Sequence, residues 1–372
     1  MTSLERDGGG PDRLTHIDCL RAVAVLAVVA HHIVGESVAI SGLHGTDAGN
    51  VIAGLYAYFD LGRLGVLLFF ILSGYCIAHS ILRPRARPVL AFALNRLARI
   101  YPAYWLSIAG AIALYGMPSP QDLITNLALV QRFVGRPDLL GIYWTLAIEL
   151  SFYALCIVLF VAGLLQRLER LQIVWLALLG YCLVAVLARN WAGVSLPYAW
   201  PWFLSLMIGG ALVRRLDDGG GANRRRIGIG LALILVVALI IALGIYGDGN
   251  IYDKTWEQDF IANAGAVLLF FGVNHIYRLR SVFFAFVGRI SYSIYLFHAL
   301  IFELIARLFA SSGIFSGLAG MALLTGMTLC SVLIVAALVY RLIEVPGIDL
   351  GRRMVGKIAT RYPRVQPGTP VL

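Results

Sequence analysis

The chain has 372 residues, of which 60% are hydrophobic and only 13% charged, and its mean hydropathy is +0.82. A soluble globular protein carries about 25% charged residues, so most of this surface is expected to face lipid. The net charge of +10 would suit a nucleic-acid binder, but the basic residues fall in short clusters between apolar runs, as in the cytoplasmic loops of a membrane protein. No nucleic-acid partner is expected.

A spanning helix needs roughly 20 mostly apolar residues. Ten such runs occur, at about 16–35, 63–82, 100–117, 143–164, 171–189, 199–215, 227–246, 258–276, 290–310 and 317–341. The expected fold is an all-α integral membrane protein of about ten transmembrane helices. Shorter apolar stretches at 51–60 and 121–133 read as interfacial or re-entrant pieces. Arginine and lysine gather in the even-numbered loops and the tail: Arg83, Arg85, Arg87, Arg96 and Arg99, then Arg167 and Arg170, then Arg214, Arg215, Arg224, Arg225 and Arg226, then Arg278, Arg280 and Arg289, then Arg352, Arg353, Lys357, Arg361 and Arg364. This alternation places both termini in the cytoplasm. Residues 1–14 are then a cytoplasmic tail, 15–345 the multi-pass domain and 346–372 a basic cytoplasmic tail. The first apolar run is too long for a signal-peptide core and is expected to be retained. The five cysteines, Cys19, Cys76, Cys156, Cys182 and Cys330, lie in or beside apolar runs without paired spacing, which fits small buried hydrophobes rather than a disulfide or metal framework.

Six stretches carry polar groups into these runs. In the first, "THIDCLRAVAVLAVVAHHIVG", Arg21 and His32 are eleven residues apart. Eleven steps of about 100° return to within about 20° of the same face, with a rise of about 16.5 Å. Arg21 therefore sits near the cytoplasmic end and His32 three turns deeper on the same stripe, while His31 points about 100° away. A snorkelling end-residue would explain Arg21 alone, but ionisable groups at this depth mark functional sites. The pair suggests a long ligand with an anionic head. In "GRLGVLLFFILSGYCIAHS", Gly62, Gly65 and Gly74 with Ser73 allow close helix approach, and Tyr75 is expected to place its hydroxyl in the same interior.

In "NRLARIYPAYWL", Arg96 and Arg99 form a fork suited to phosphate groups, although ordinary positive-inside charge explains the pair as well and is preferred on the residues alone; Pro102 is expected to bend or begin a helix. In "YWTLAIELSFYAL", Glu149 lies inside the fourth run and calls for an imidazole partner. In "GRISYSIYLFHAL", Tyr292 and Tyr295 precede His298 near mid-membrane; Glu303 and Arg307 follow at a pairing distance. In "YRLIEVPGIDLGRR", Glu344 is read as structural.

Together, "IDCLRAVAVLAVVAHH", "GVLLFFILSGY", "RLARIYPAYW", "WTLAIELSFY", "GRISYSIYLFH" and "IEVP" resemble the integral-membrane acyltransferase family 3, whose members O-acylate bacterial surface polysaccharides. The resemblance runs from about Ile17 to Arg353. It departs from the family at Leu67, where many members are acidic, and at Leu150 and Ser151, where many have Glu-Gln. No appended extracytoplasmic domain is expected.

The resemblance implies acyl transfer, usually acetyl, from acyl-coenzyme A to a hydroxyl of an extracytoplasmic or lipid-linked carbohydrate, in the bacterial inner membrane. No permanently bound cofactor and no metal are expected. Arg21, Arg96 and Arg99 would hold the donor's phosphates. His32 would act as general base or carry the acyl group, with Glu149 orienting it. Ser73, Tyr75, Tyr292 and His298 are further lining candidates. Two other classes fit the same intramembrane Arg, His and Glu: a transporter or flippase for a glycan or lipid-linked sugar, against which no inverted repeat is visible, and a non-catalytic receptor or scaffold.

Overall fold

The computed structural model describes residues 15–85, 87–218, 224–247 and 254–361. The tail expected at 1–14 and the end of the other tail, 362–372, lie outside them. The described residues form α1 (Thr15–Ile40), α2 (Asp47–Tyr58), α3 (Leu61–Ile81), α4 (Pro88–Tyr115), α5 (Pro120–Leu127), α6 (Trp144–Val161), α7 (Leu168–Ala192), α8 (Ala199–Asp218), α9 (Arg224–Tyr246), α10 (Trp256–Phe271), α11 (Val282–Arg289), α12 (Ser291–Leu308), α13 (Gly317–Val339) and α14 (Val345–Arg361). Among them, nine segments are long and apolar enough to cross a membrane, and the protein is an all-α multi-pass membrane protein. The expected sixth span, 199–215, is α8. It falls outside the nine because its end carries Arg214, Arg215, Asp217 and Asp218.

Local sequence sets the helix ends. Thr46 caps α2 by accepting from the Gly49 N–H at 3.1 Å, and Asp60 caps α3 by accepting from the Arg63 N–H at 2.7 Å. Thr255 and Gln258 form a reciprocal capping box on α10. The short apolar stretches become α2 and α5. The third expected span starts twelve residues late: α4 begins at Pro88, in the first turn, where a missing N–H costs nothing. It runs on through Pro102, which leaves the Ala98 carbonyl without its usual partner; Gly347 of α14 packs against that carbonyl.

Helix α3 is the centre of the bundle, packed by α1, α8 and α10. The small residues of its sequence permit this. A Cβ on Gly74 would overlap the Met207 carbonyl of α8, and one on Gly65 would overlap the Ala24 carbonyl of α1, so the backbones meet directly. Side chains such as Leu67, Leu68, Tyr104 and Phe152 are fully buried, whereas Val158, Val161, Ile173, Val184 and Ile229 point outward. An apolar core inside an apolar exterior is the pattern of a bundle solvated by lipid. Two π-turns interrupt the helices, at Gly272–Ile276 and Tyr340–Glu344, and each turns a polar side chain inward.

Candidate functional site

Two cavities open beside α1, one at each end of the stripe expected from the sequence. The wider, of about 520 Å³, is lined by His32 of α1, Arg63 of α3, Lys254 and His298 of α12 among others. The narrower, of about 80 Å³, is lined by Arg21 of α1, Ser73 of α3, Arg99 of α4, Glu149 of α6 and Tyr292 of α12. Val66 and Tyr295 line both, so the two spaces share a wall.

In the wide cavity His32 is exposed to the open space while His298 is fully buried. The rings stack at 5.1 Å, with His32 Nδ1 2.9 Å from His298 Nε2. His298 Nδ1 lies 2.7 Å from the Tyr295 carbonyl of its own helix. A carbonyl only accepts, so His298 Nδ1 carries the proton. In a pair of neutral imidazoles His298 Nε2 then accepts from His32 Nδ1–H. That leaves His32 Nε2 as a bare lone pair on the ring that faces the cavity. Tyr295 is itself fixed: its hydroxyl donates to the Ile142 carbonyl at 3.0 Å and is 2.8 Å from the Thr145 hydroxyl.

The rest of this cavity is charged. His31 stacks on Tyr56 at 4.9 Å and its Nε2 lies 3.6 Å from Asp60. The second oxygen of Asp60 holds Lys254. Arg63 is paired with Asp259, which is fully buried and also accepts from the Asn263 amide at 3.1 Å.

The narrow cavity is electrostatically different. The Arg21 guanidinium makes no hydrogen bond and no close ion pair among the described residues. Arg99 is 3.8 Å from Glu344, which accepts from Ser293 at 3.0 Å. Glu149 accepts from the Tyr153 hydroxyl at 2.5 Å. The Tyr292 hydroxyl donates to the Ile100 carbonyl at 2.9 Å.

The structure therefore brings Arg21, Arg99, Ser73, Glu149 and Tyr292 to one cavity and His32 and His298 to its neighbour. Three expectations change. Glu149 is not the partner of His32; that place belongs to His298, because α6 directs Glu149 to Tyr153 on the Arg21 side. Tyr75 does not share an interior with Ser73, since a two-residue step turns a helix by about 200°. Its hydroxyl donates to Asp217 at 3.0 Å. Arg96 reaches the Ser80 hydroxyl at 3.0 Å and lies over the Phe92 and Tyr153 rings, at 5.6 Å and 5.9 Å, behind the narrow cavity rather than on its wall. Glu303 and Arg307 pair as expected, at 2.6 Å.

Sequence reasoning missed Asp60, Arg63 and Lys254 on the wide cavity. Their signal was present: three charges flanking apolar runs on the side opposite the basic loops. It also missed the network in which Asp217 accepts from Tyr75, Asn274 at 2.9 Å and His275 at 3.0 Å, with Asn274 in turn 3.0 Å from His16.

Residues 14–341 match the acyltransferase family 3 model, described as an acyltransferase domain. The exopolysaccharide production protein ExoZ of Rhizobium meliloti (strain 1021) is 28% identical over 322 residues, which is 79% of this chain and 92% of ExoZ. The acyltransferase MdmB of Streptomyces mycarofaciens is 30% identical over 155 residues, covering 38% of each chain. The peptidoglycan O-acetyltransferase OatA of Listeria monocytogenes is 27% identical over 161 residues, covering 37% of this chain and 22% of OatA. No solved structure matches the chain. With the match running from the first described helix through the last residues of α13, this chain belongs to the acyltransferase family 3.

Proposed function

We propose that the protein is a membrane O-acyltransferase that takes an acyl group, acetyl by preference, from acyl-coenzyme A and places it on a hydroxyl of an extracytoplasmic or lipid-linked carbohydrate, in the bacterial inner membrane. The clustering of basic residues in the loops on the Arg21 side supports a cytoplasmic donor end, with the wide cavity at the opposite face. The names of ExoZ and OatA, exopolysaccharide production and peptidoglycan O-acetylation, support a glycan acceptor and an acetyl donor. The observation that carries the reading is the α1 stripe: an unpartnered guanidinium at one end and a bare imidazole lone pair eleven residues on, in adjoining cavities.

An unpaired cation inside a bundle calls for water or for an anionic visitor. The phosphate-rich head of coenzyme A has that chemistry, with Arg99 beside Arg21 and Arg96 behind them. The narrow pantetheine arm then passes along α1, and the thioester reaches the shared wall at Val66 and Tyr295. From the wide cavity the acceptor hydroxyl approaches His32 Nε2. Nε2 takes the hydroxyl proton as the oxygen attacks the thioester carbonyl. The tetrahedral intermediate collapses to the ester as the C–S bond breaks. The His32 proton leaves on the coenzyme A sulfur, giving the free thiol. His298 stabilises the charged His32 by accepting from its Nδ1–H, the task a carboxylate has in other acyl-transfer sites. In a two-step version the same lone pair attacks the thioester and the acyl group rests on His32 before transfer. Glu149 and Tyr153 belong to the donor side in this reading.

The test is release of free thiol from acetyl-coenzyme A by purified protein in liposomes, with labelled acetyl followed into a glycan ester. Thiol release lost in His32→Ala supports the reading, and a trapped acetyl adduct on His32 selects the two-step version. Labelled glycan crossing the membrane with no thiol release replaces the enzyme by a carrier.

A further inference from the structure

The wide cavity carries its own statement about what enters it. Five charged side chains line it: Glu36, Asp60 and Glu303 against Arg63 and Lys254. Both cations are already committed. Arg63 is paired with Asp259, which is fully buried, and Lys254 is paired with Asp60. Glu303 is paired with Arg307 from the next turn of α12. Glu36 makes no ion pair and no hydrogen bond among the described residues. It lies four residues after His32, one turn on along the same face of α1, at the spacing where side chains interact.

We infer that this cavity selects a polyhydroxyl acceptor without acidic groups, and that the Glu36 carboxylate is the residue that excludes acidic ones. This rests on the wide cavity being the acceptor side, as proposed above. A uronic acid or phosphorylated sugar entering it would find no free cation. It would have to draw Arg63 from a buried carboxylate, leaving that charge uncompensated, and would meet Glu36 beside the reacting imidazole. A neutral sugar meets the opposite situation. Carboxylates only accept hydrogen bonds, and sugar hydroxyls supply the donors. One helix thus sorts its two substrates by charge, with an unpaired cation at the donor end and an unpaired anion at the acceptor end.

The charge of the cavity is measurable without donor, acceptor or turnover. Iodoacetamide and iodoacetate are matched two-carbon reagents, one neutral and one anionic, that alkylate imidazole nitrogen. Rates are read by mass spectrometry on the full-length protein in detergent at His32 and at His44, which is exposed in the loop after α1. The ratio of the neutral to the anionic rate should be about fivefold larger at His32 than at His44, the size of one nearby charge in a largely aqueous space. Glu36→Gln should bring the His32 ratio down to that of His44. A His32 ratio equal to or below that of His44 overturns the inference, as does a ratio that Glu36→Gln leaves unchanged. Absence of alkylation by either reagent also overturns it, because a cavity closed to two carbons does not admit a sugar. Thiol release is assayed separately, so an acyltransferase whose cavity lacks this selectivity is distinguished from a protein that is not an acyltransferase at all.

Discussion

The two cavities share a wall but handle charge in opposite ways. On the Arg21 side a guanidinium stands without a close partner. On the His32 side both cations are tied to carboxylates, and the proposed reacting group is an imidazole whose protons are assigned by a chain of hydrogen bonds ending on the Tyr295 carbonyl. Stability alone would favour pairing every buried charge. Where a cation's pairing is complete the bundle is being held together; where it is withheld, an anionic ligand is expected to complete it. The contrast predicts that binding and chemistry can be lost separately.

The largest effect should come from removing the lone pair. His32→Ala should lower transfer by about 10³-fold, the scale of a general base, with acyl-coenzyme A still bound; the check is single-turnover thiol release beside a binding assay. His298→Ala should lower kcat by about 10²-fold without weakening the donor, because His32 keeps its nitrogen but loses the acceptor that fixes its tautomer. His298→Gln, whose side-chain oxygen can also accept, should recover part of this. Steady-state kcat and KM for both variants separate the positioning role from a folding defect. Arg21→Ala should weaken the donor roughly 10- to 100-fold, the worth of charged hydrogen bonds, and Arg21→Lys less, as seen by equilibrium binding at several salt concentrations. The smallest effect belongs to Tyr75→Phe. It removes one hydrogen bond to Asp217 on a face away from both cavities, so activity should stay unchanged and stability fall by about 1 kcal/mol or less, measured by thermal unfolding in detergent. Lost activity in folded Tyr75→Phe would extend the functional site into the Asp217 network.

What the sequence allowed to be read divides along the same line. The α1 stripe was legible because Arg21 and His32 sit on one helix, where spacing alone fixes the face. The pairing of His32 with His298 was not, because residues 266 positions apart meet only through the packing of α1 against α12. Glu149 was attached to His32 for that reason, although it accepts from Tyr153: depth in the membrane can be counted along a run, but azimuth about a neighbouring helix cannot. Tyr75 was an avoidable error, since its 200° offset from Ser73 is written in the chain. The early start of α4 was hidden by Arg96 and Arg99, which interrupt the apolar run. Their side chains turn to Ser80, Tyr153 and Glu344 inside the bundle rather than to lipid. Nine of the ten expected spans were readable among the described residues; α8, which packs on α3, ends in four charges and falls outside them.

The most direct measurement is calorimetric titration of acetyl-coenzyme A into the detergent-purified protein, for wild type, Arg21→Ala and His32→Ala, beside thiol release for the same three samples. Binding is expected in wild type, clearly weaker binding in Arg21→Ala, and near-normal binding in a folded His32→Ala that no longer releases thiol. Folded wild-type protein that binds no acyl-coenzyme A, or an Arg21→Ala that binds it as tightly as wild type, would contradict the assignment of the unpaired arginine to the donor.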